Sequence, residues 1–327
     1  MLKTLLKTMV RGGAVALFSA ALCQPALAAW PDDKPIEVVV GFAAGGGTDL
    51  MARKLAPFIQ KRLGGKASII VINKPGASGE IANAYVAQAK PDGYTLGIVN
   101  VPHFLFIPMV KKAQYHPDDL RLIARVVDDP TVLVVRSDSK YASLGAVVEA
   151  LRKNPRSVSL GTNGTGSNGE LARVLINDAA KVEINEIPYK GSSAQKTNLM
   201  GGHLDISAIS AGEVPELHGG KTGTLKVIAQ LSKVRSLALP QAPTALESGY
   251  DVQMSFERGF AAPKAVPAEI VKKLESAIAD ALRDADFLAA SPGDVPVLAY
   301  LPGPKWQESL VQNKKALQLL ADKAPKQ

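Results

Sequence analysis

The sequence predicts an α/β protein of two lobes, each built on a parallel-type sheet flanked by helices, with a ligand cleft between the lobes. Strand patterns alternate with helical patterns along most of the 327 residues, which is typical of parallel α/β folds. Each half also has a glycine-rich turn directly after a strand, at 41–49 and at 161–170. Because ligands of such sheets bind outside the carboxyl ends of the strands, we expect the two turns to face one cleft.

The first strand, turn and helix show this pattern most clearly. The run Ile36–Val40 is too continuously apolar for a strand with one solvated face, so we expect it to be covered on both sides. Apolar residues recur at helical spacing over 50–58, with Thr48 as the expected N-cap and Asp49 in the first turn. Unpaired N–H groups at such a helix start are suited to an anion, although a tight turn without a ligand explains the same residues equally well.

The rest of the chain repeats these units. Further patterns predict strands at 67–72, 94–99, 158–160, 186–189, 204–209 and 225–231, and helices at 143–153, 268–282 and 305–321. The apolar runs 122–127 and 131–135 are separated by the turn-like residues 128–130, and we interpret this break as the first crossing between the lobes. The predicted division is lobe 1 at 29–128 and 236–327 and lobe 2 at 129–235.

Residues 1–28 have the composition of a cleaved secretory signal peptide. Three cations and no acid accompany the apolar run 14–22, and the small residues at 26–28 fit a cleavage site. The apolar run is too short to span a bilayer. Cys23 follows a leucine rather than a small residue, so we expect a soluble periplasmic protein without a lipid anchor.

Composition argues against several classes of function. The formal net charge is +8, and no block of Lys and Arg is interleaved with aromatic residues, so nucleic-acid binding is not expected. The only cysteine falls in the signal peptide, which excludes thiol catalysis and cysteine-metal sites in the mature chain. The four histidines are far apart and form no metal-spaced pair. We therefore expect no metal and no cofactor.

One pattern favours an enzyme. Gly164, Gly166 and Gly169 match the dinucleotide-binding spacing after a strand, with Glu183 near the position of the ribose-binding acid. The pattern lies in the second half of an exported protein, where nicotinamide cofactors are not normally available. No nucleophile stands beside a general base, and no Gly-x-Ser-x-Gly elbow occurs. Glycines and hydroxyls at facing strand ends are better suited to binding a carboxylate, so the sequence favours a receptor.

Several motifs occur in a specific order over nearly the whole mature chain. They are Val38-Val-Val-Gly-Phe-Ala-Ala-Gly-Gly-Gly-Thr-Asp49, Asn73-Lys-Pro-Gly-Ala77, Pro91-Asp-Gly-Tyr-Thr-Leu96, Gly161-Thr-Asn-Gly-Thr-Gly-Ser167 and Arg258-Gly-Phe-Ala-Ala-Pro263. Together they resemble the substrate-binding proteins of tripartite tricarboxylate transporters, the TctC or Bug receptors. The resemblance implies a type 2 periplasmic-binding-protein fold that closes on a solute. It also implies delivery of that solute to a membrane permease with a large and a small subunit.

The resemblance further implies that the turns of both lobes hold a ligand carboxylate through backbone amides, hydroxyls and bound water. On one side the expected ligand-binding residues are Phe42, Ala44, Gly45, Gly46, Thr48 and Asp49, with Ser78 from the neighbouring turn. On the other side they are Thr162, Asn163, Gly166 and Ser167, flanked by Tyr189 and Lys190.

Two departures from the family pattern concern these turns. Gly41 stands where the family usually has proline, and Ser78 adds a hydroxyl to a turn that is commonly built of glycine and alanine. Asn100 and His103 have either surface roles or positions near the far end of the ligand. Dicarboxylates, tricarboxylates, amino acids and aromatic acids all remain possible solutes. We expect a monomeric receptor, with a sensory receptor or an exported enzyme on the same fold as the alternatives.

Overall fold

The computed structural model describes residues 30–214, 223–237 and 239–322, so the predicted signal peptide lies outside the described residues. The strands are β1 (Ile36–Val40), β2 (Ile69–Asn73), β3 (Thr95–Val101), β4 (Leu120–Arg136), β5 (Ser159–Thr162), β6 (Asn185–Pro188), β7 (Ile206–Ser210), β8 (Leu225–Gln230), β9 (Ser255–Pro263) and β10 (Leu298–Pro302). The helices are α1 (Gly47–Leu63), α2 (Glu80–Ala87), α3 (His103–Val110), α4 (Leu144–Lys153), α5 (Asn168–Ala180), α6 (Ser192–Met200), α7 (Ala268–Ala281), α8 (Ala285–Ala290) and α9 (Gly303–Ala321). None of these described helices is both long enough and apolar enough to cross a bilayer.

The strands form two mixed sheets that share β4. The first sheet has the order β2-β1-β3-β9-β4-β10, and the second has the order β8-β4-β7-β5-β6. β1 is parallel to β2 and β3, and β5 is parallel to β6 and β7. The predicted parallel pairing therefore holds for these outer strands, whereas β9 and β4 run antiparallel to their neighbours.

β4 is one continuous strand where the sequence suggested two separate runs. Its first part pairs with β9 as far as Pro130, and from Thr131 onward it pairs with β7 and β8. The predicted break is thus the point at which the strand leaves one sheet and enters the other. Backbone hydrogen bonds tie three segments together here: Thr131 donates to Met254 (3.0 Å), Met254 to Leu231 (2.8 Å) and Leu231 to Thr131 (2.8 Å).

Helices cover both faces of each sheet. In the first lobe, α1 and α7 bury Leu55 and Leu274 on one face, while α3 and α9 bury Phe104 and Trp306 on the other. This double cover explains the continuous apolar pattern of β1. In the second lobe, α4 and α5 cover one face, and α6 lies on the other. Val252, from the chain between β8 and β9, packs into the core of the second sheet, although the predicted division assigns it to lobe 1. The limits of the lobes stay a prediction.

The start of α1 differs from the prediction. The N-cap is Gly46, which has no side chain to cap the helix, so the expectation of Thr48 as the N-cap is wrong. Thr48 lies inside the first turn, and its hydroxyl accepts a hydrogen bond from Nδ2 of Asn100 (2.8 Å). Asp49 does lie in the first turn and accepts a hydrogen bond from the N–H of Gly45 (2.9 Å). The glycine turn is therefore braced by a side chain from inside the helix.

Gly259 of β9 packs against β4 with no room for a side chain. A Cβ atom there would overlap the carbonyl oxygen of Ala124 and lie 2.6 Å from Cζ3 of Trp306. We expect Gly259→Ala to lower the free energy of unfolding by about 3 kcal/mol, because both neighbours are held in the core. Urea denaturation measures this loss. Gly145→Ala is the matched control, since the Oγ of Ser143 would be 3.7 Å from its Cβ and a helix favours alanine over glycine. Equal stabilities of the two variants would contradict the prediction.

Candidate functional site

The glycine turns of the two lobes lie on opposite sides of a cavity of about 320 Å³, here called the outer cavity. Its volume lies in the range of roughly 300–1,000 Å³ that is typical of small-molecule sites. The lining contains hydroxyls, one amide side chain and one cation, and no carboxylate. The lining residues are Gly41, Phe42, Gly76, Ala77 and Ser78 from the first lobe, and Asn163, Gly164, Thr165, Pro188, Tyr189 and Lys190 from the second.

The loops of the two lobes touch directly at this cavity. The hydroxyl of Ser78 donates a hydrogen bond to the backbone oxygen of Asn163 (3.1 Å), and the N–H of Ala43 donates one to the backbone oxygen of Lys190 (3.5 Å). These contacts join turns that are far apart in sequence. The structure therefore describes a closed cleft.

A much smaller cavity of about 10 Å³, here called the inner chamber, lies next to the outer cavity. Phe42 and Asn163 line both cavities, so the two are adjoining parts of one site. The chamber has room for about one water-sized group. Its other lining residues are Gly46, Gly47, Thr48, Asn100, Gly191, Ser192, Glu213, Phe256 and Arg258.

The guanidinium of Arg258 joins both lobes and the shared strand. Its Nη2 donates to Oγ of Ser210 (2.5 Å) and to Oε1 of Glu213 (2.8 Å), and its Nη1 donates to Oδ2 of Asp129 (3.4 Å). All four side chains are buried. A buried charge needs such partners because leaving water is costly, and removing one member of a buried ion pair typically costs about 3–5 kcal/mol.

Asp129 titrates near neutral pH in this environment. Burial and, to a smaller extent, the nearby carboxylate of Glu213 raise the pKa of Asp129 to about 7, against the opposing effects of Arg258 and of the N–H of Gly212. The two oxygens of Asp129 lie 3.1 and 3.2 Å from the N–H of Gly212. The single guanidinium is thus shared by two carboxyl groups, one of which holds its proton up to about pH 7.

His103 is buried beside the same network and stays neutral. Burial lowers the pKa of His103 to about 3, and the positive charge of Arg258 adds to this effect. Its ring lies edge-on to Phe42 (5.2 Å between centroids) and stacks with Phe256 (6.0 Å), and neither ring nitrogen has a hydrogen-bond partner. Among the residues that the structure describes, no group of His, Asp, Glu or Cys has the geometry to hold a metal ion.

Several of the predicted ligand-binding residues line the site. Phe42, Ser78, Asn163, Tyr189 and Lys190 line the outer cavity. Phe42, Gly46, Thr48 and Asn163 line the inner chamber. The remaining predicted residues line neither cavity: Ala44, Gly45, Asp49, Thr162, Gly166 and Ser167. Their roles in binding stay a prediction.

The side chains and amides of this remaining group make hydrogen bonds inside the loops. Thr162 donates to Glu186 (2.6 Å), the N–H of Gly166 donates to Glu170 (2.7 Å), and Ser167 caps α5 by accepting from the N–H of Glu170 (3.1 Å). These bonds hold the second glycine turn in shape. Its amides at the start of α5 are therefore already partly engaged.

Asp49 has a similar bracing role in the first turn. It accepts hydrogen bonds from Arg53, Asn73 and the N–H of Gly45, each at 2.9 Å. Burial acts to raise the pKa of Asp49, but these hydrogen bonds and the charge of Arg53 outweigh it, so the pKa lies below its ordinary value. The carboxylate stays ionised and holds the glycine turn in place through its hydrogen bond from the N–H of Gly45.

Sequence reasoning missed most of the inner chamber. For Asn100 the sequence left open whether it has a surface role or lies near the ligand. Four further residues were not predicted to lie at the site: Ser192, Glu213, Phe256 and Arg258. One signal was present, because a charged pair interrupts the otherwise apolar strand β9 at residues 257–258. A charge in a buried strand requires a partner, but the sequence does not show which residue supplies it.

Comparison with known proteins identifies the family. The description "Tripartite tricarboxylate transporter family receptor" (TctC) applies to residues 51–298, well over half of the chain. The chain belongs to this receptor family. The family predicted from the motifs is thereby confirmed.

Individual TctC relatives are similar to this chain over most of their length. BugT of Bordetella pertussis is 32% identical over 293 residues, which are 87% of this chain and 88% of BugT. The structure of the periplasmic binding protein BugD superposes with a TM-score of 0.81 at 30% identity, covering 89% of this chain and 97% of BugD. MatC of Rhodopseudomonas palustris with bound malate gives 0.78 at 27% identity, covering 88% and 98%. The predicted periplasmic-binding-protein fold is confirmed.

The raised pKa of Asp129 predicts a pH dependence of stability. The folded protein binds this proton up to about pH 7, while the unfolded chain releases it near pH 4. Stability is therefore lost as the pH rises through this window. From pH 5 to pH 8 we expect the wild type to lose about 2.5 kcal/mol more than Asp129→Asn, which cannot ionise.

Urea unfolding at the two pH values measures this difference. Asp138→Asn is the control, because Asp138 is exposed and its pKa is lowered by Arg136, so it does not titrate between pH 5 and pH 8. An identical pH dependence of the wild type and Asp129→Asn would contradict the prediction.

Proposed function

We propose that this chain is an extracytoplasmic receptor that closes on a small carboxylate-bearing metabolite. It delivers the metabolite to a tripartite tricarboxylate-type permease made of a large and a small subunit. The observation that carries this proposal is the outer cavity, which both lobes line with hydroxyls, an amide and Lys190 and without an acid. An anion in this cavity contacts residues of both lobes at once, so binding favours the closed state.

The contacts across the cleft support a carboxylate as the bound group. Thr165 and Tyr189 offer hydroxyl donors, and the cation of Lys190 lies at the exposed rim. Hydrogen bonds to an ionised carboxylate are stronger than those between neutral groups. The malate bound to the relative MatC is a solute of this class.

The proposal also covers location, catalysis and assembly. We infer that residues 1–28 direct the chain to the periplasm and are removed without lipid attachment. The protein acts as a monomer and not as an enzyme, without nucleic acid or cofactor. Its membership of a receptor family supports this reading. None of the described residues lining the outer cavity is a carboxylate or a histidine that could serve as a general base beside Ser78.

Closure requires that the lobes move about the shared strand. We place lobe 1 at 29–128 and 236–327 and lobe 2 at 129–235, with β4 as one crossing and the chain between β8 and β9 as the other. The mutual hydrogen bonds of Thr131, Leu231 and Met254 at this point support a hinge of restricted motion.

Thermal melting of the mature protein, refolded to remove carried-over ligand, tests the proposal. The panel consists of small mono-, di- and tricarboxylates and aromatic acids, each with its uncharged amide. A ligand that binds only the native state raises the melting temperature by mass action. We expect some acids to raise it and their amides to leave it unchanged, and equal shifts with acids and amides would contradict the carboxylate site.

A matched pair of variants locates the binding. Lys190→Gln removes the cation at the rim of the outer cavity, and we expect it to weaken binding of an active acid about fivefold, since an exposed ion pair contributes up to about 1 kcal/mol. Lys153→Gln, at the end of α4, is the control and should leave the affinity unchanged. Equal affinities of the two variants, measured by calorimetry, would place the acid elsewhere.

A further inference from the structure

Two buried acceptor atoms in the inner chamber have no hydrogen-bond donor. They are Oδ1 of Asn100, from the first lobe, and Oε2 of Glu213, from the second. Both side chains are about 95% buried, with 5% of each exposed. An unpaired buried acceptor costs roughly 1–3 kcal/mol. Both atoms are therefore suited to accept a hydrogen bond from a ligand group that carries a donor.

The position of Glu213 is held from two sides. Its Oε1 is bonded to Arg258 (2.8 Å), and its carboxylate lies so close to Gly47 that a Cβ atom there would overlap it. Gly47 begins α1, and the N-terminus of a helix favours a nearby negative charge. These contacts fix the carboxylate while its second oxygen stays free to accept a hydrogen bond.

The chamber pairs one cation with one carboxylate, and that carboxylate keeps a free acceptor oxygen. Arg258 is the cation among the described lining residues, and it is shared between the carboxyl groups of Glu213 and Asp129. His103 is buried and uncharged beside them. The unpaired donors in this set are Nε of Arg258 and the N–H of the neutral His103 ring; the guanidinium carbon lies over the ring of Phe256 (4.7 Å to the centroid).

Size and hydrogen-bonding capacity select the group that fits. The chamber of about 10 Å³ holds about one water-sized group. An ammonium group has this size, carries three donors and has no acceptor that would face the acceptors of the chamber. A hydroxyl supplies one donor and a methyl group none. A second carboxylate is larger and would be repelled by Glu213.

We propose that the solute is an amino acid whose ammonium group enters the inner chamber and donates hydrogen bonds to Glu213 and Asn100, while its carboxylate lies in the outer cavity. This inference rests on the proposed function, because it assumes a carboxylate in the adjoining cavity. It narrows the possible solutes to those with a primary ammonium group next to or a few carbons from the carboxylate. Glu213 is then the residue that determines specificity.

Calorimetric titration of the mature protein with matched acids tests this. The probes are alanine, β-alanine and propionate; γ-aminobutyrate and butyrate; and aspartate, malate and succinate. We expect at least one amino acid to bind about tenfold or more tightly than its counterpart without the amino group, as a hydrogen bond to a charged group allows. The affinity for malate, the hydroxy acid, should lie between the affinities for aspartate and succinate.

The variant Glu213→Gln keeps the size of the side chain and an acceptor for Arg258 but removes the charge. We expect it to weaken binding of the amino acid about tenfold more than it weakens binding of the amine-free acid, so the preference disappears. Retained binding of the amine-free acid shows that the variant is folded. Asp284→Asn is the control, because Asp284 is also a buried acid, paired with Arg62 (2.7 Å) away from the cleft.

The outcomes separate this inference from the proposed function. Equal affinities for the amino acids and for their counterparts without the amino group would overturn the ammonium site. They would leave the carboxylate receptor standing. The same holds if Glu213→Gln kept the preference intact. Tighter binding of succinate than of aspartate, strengthened further by Glu213→Gln, would place an anion in the chamber and overturn the inference. No binding of any of these acids, together with no melting shift from any acid of the wider panel, would overturn both.

Discussion

The geometry of the cleft depends on one buried guanidinium. Arg258 lies on a strand of the first lobe, yet its partners are Glu213 and Ser210 in the second lobe and Asp129 on the strand that connects them. A charge in this position is tolerated only while its partners stay in reach, because burial in a low-dielectric interior is costly. The closed arrangement of the lobes and the pairing of the guanidinium therefore require each other. In the proposed receptor, opening of the cleft would replace the partners from the second lobe by water.

The two adjoining cavities differ in the polar groups that line them. The outer cavity has hydroxyls and one cation and no acid, whereas the inner chamber has Glu213 and the oxygen of Asn100 as free acceptors. Phe42 lines both cavities, so a region with hydroxyls and a cation adjoins one with a free carboxylate oxygen. A ligand with opposite charges at its two ends matches this arrangement better than one with the same charge at both. Separation of charge, more than volume, is what this cleft offers for selecting a solute.

The sequence predicted local units well and long-range pairing poorly. β1 was expected at its observed limits, and a helix was expected directly after the glycine turn, because apolar spacing and glycine placement are local signals. The N-cap was wrong because Asn100, 52 residues away, holds the hydroxyl of Thr48 inside the helix. The antiparallel centre of the sheets depends on β9, which returns late in the chain to pair with β3 and β4. Arg258 and Glu213 are 45 residues apart, and no local pattern joins them.

Closure and selection are linked because the inner chamber exists only when both lobes contribute to it. Asn100 and Thr48 come from the first lobe, and Glu213 and Ser192 come from the second. In the open state water satisfies the acceptors of Asn100 and Glu213, whereas in the empty closed state they are buried without donors at a cost of roughly 1–3 kcal/mol each. A ligand shifts such an equilibrium only by the difference between its affinities for the two states. A donor that reaches both acceptors removes the cost of closure, so in the proposed receptor the same two atoms that recognise the ammonium group also favour the closed form.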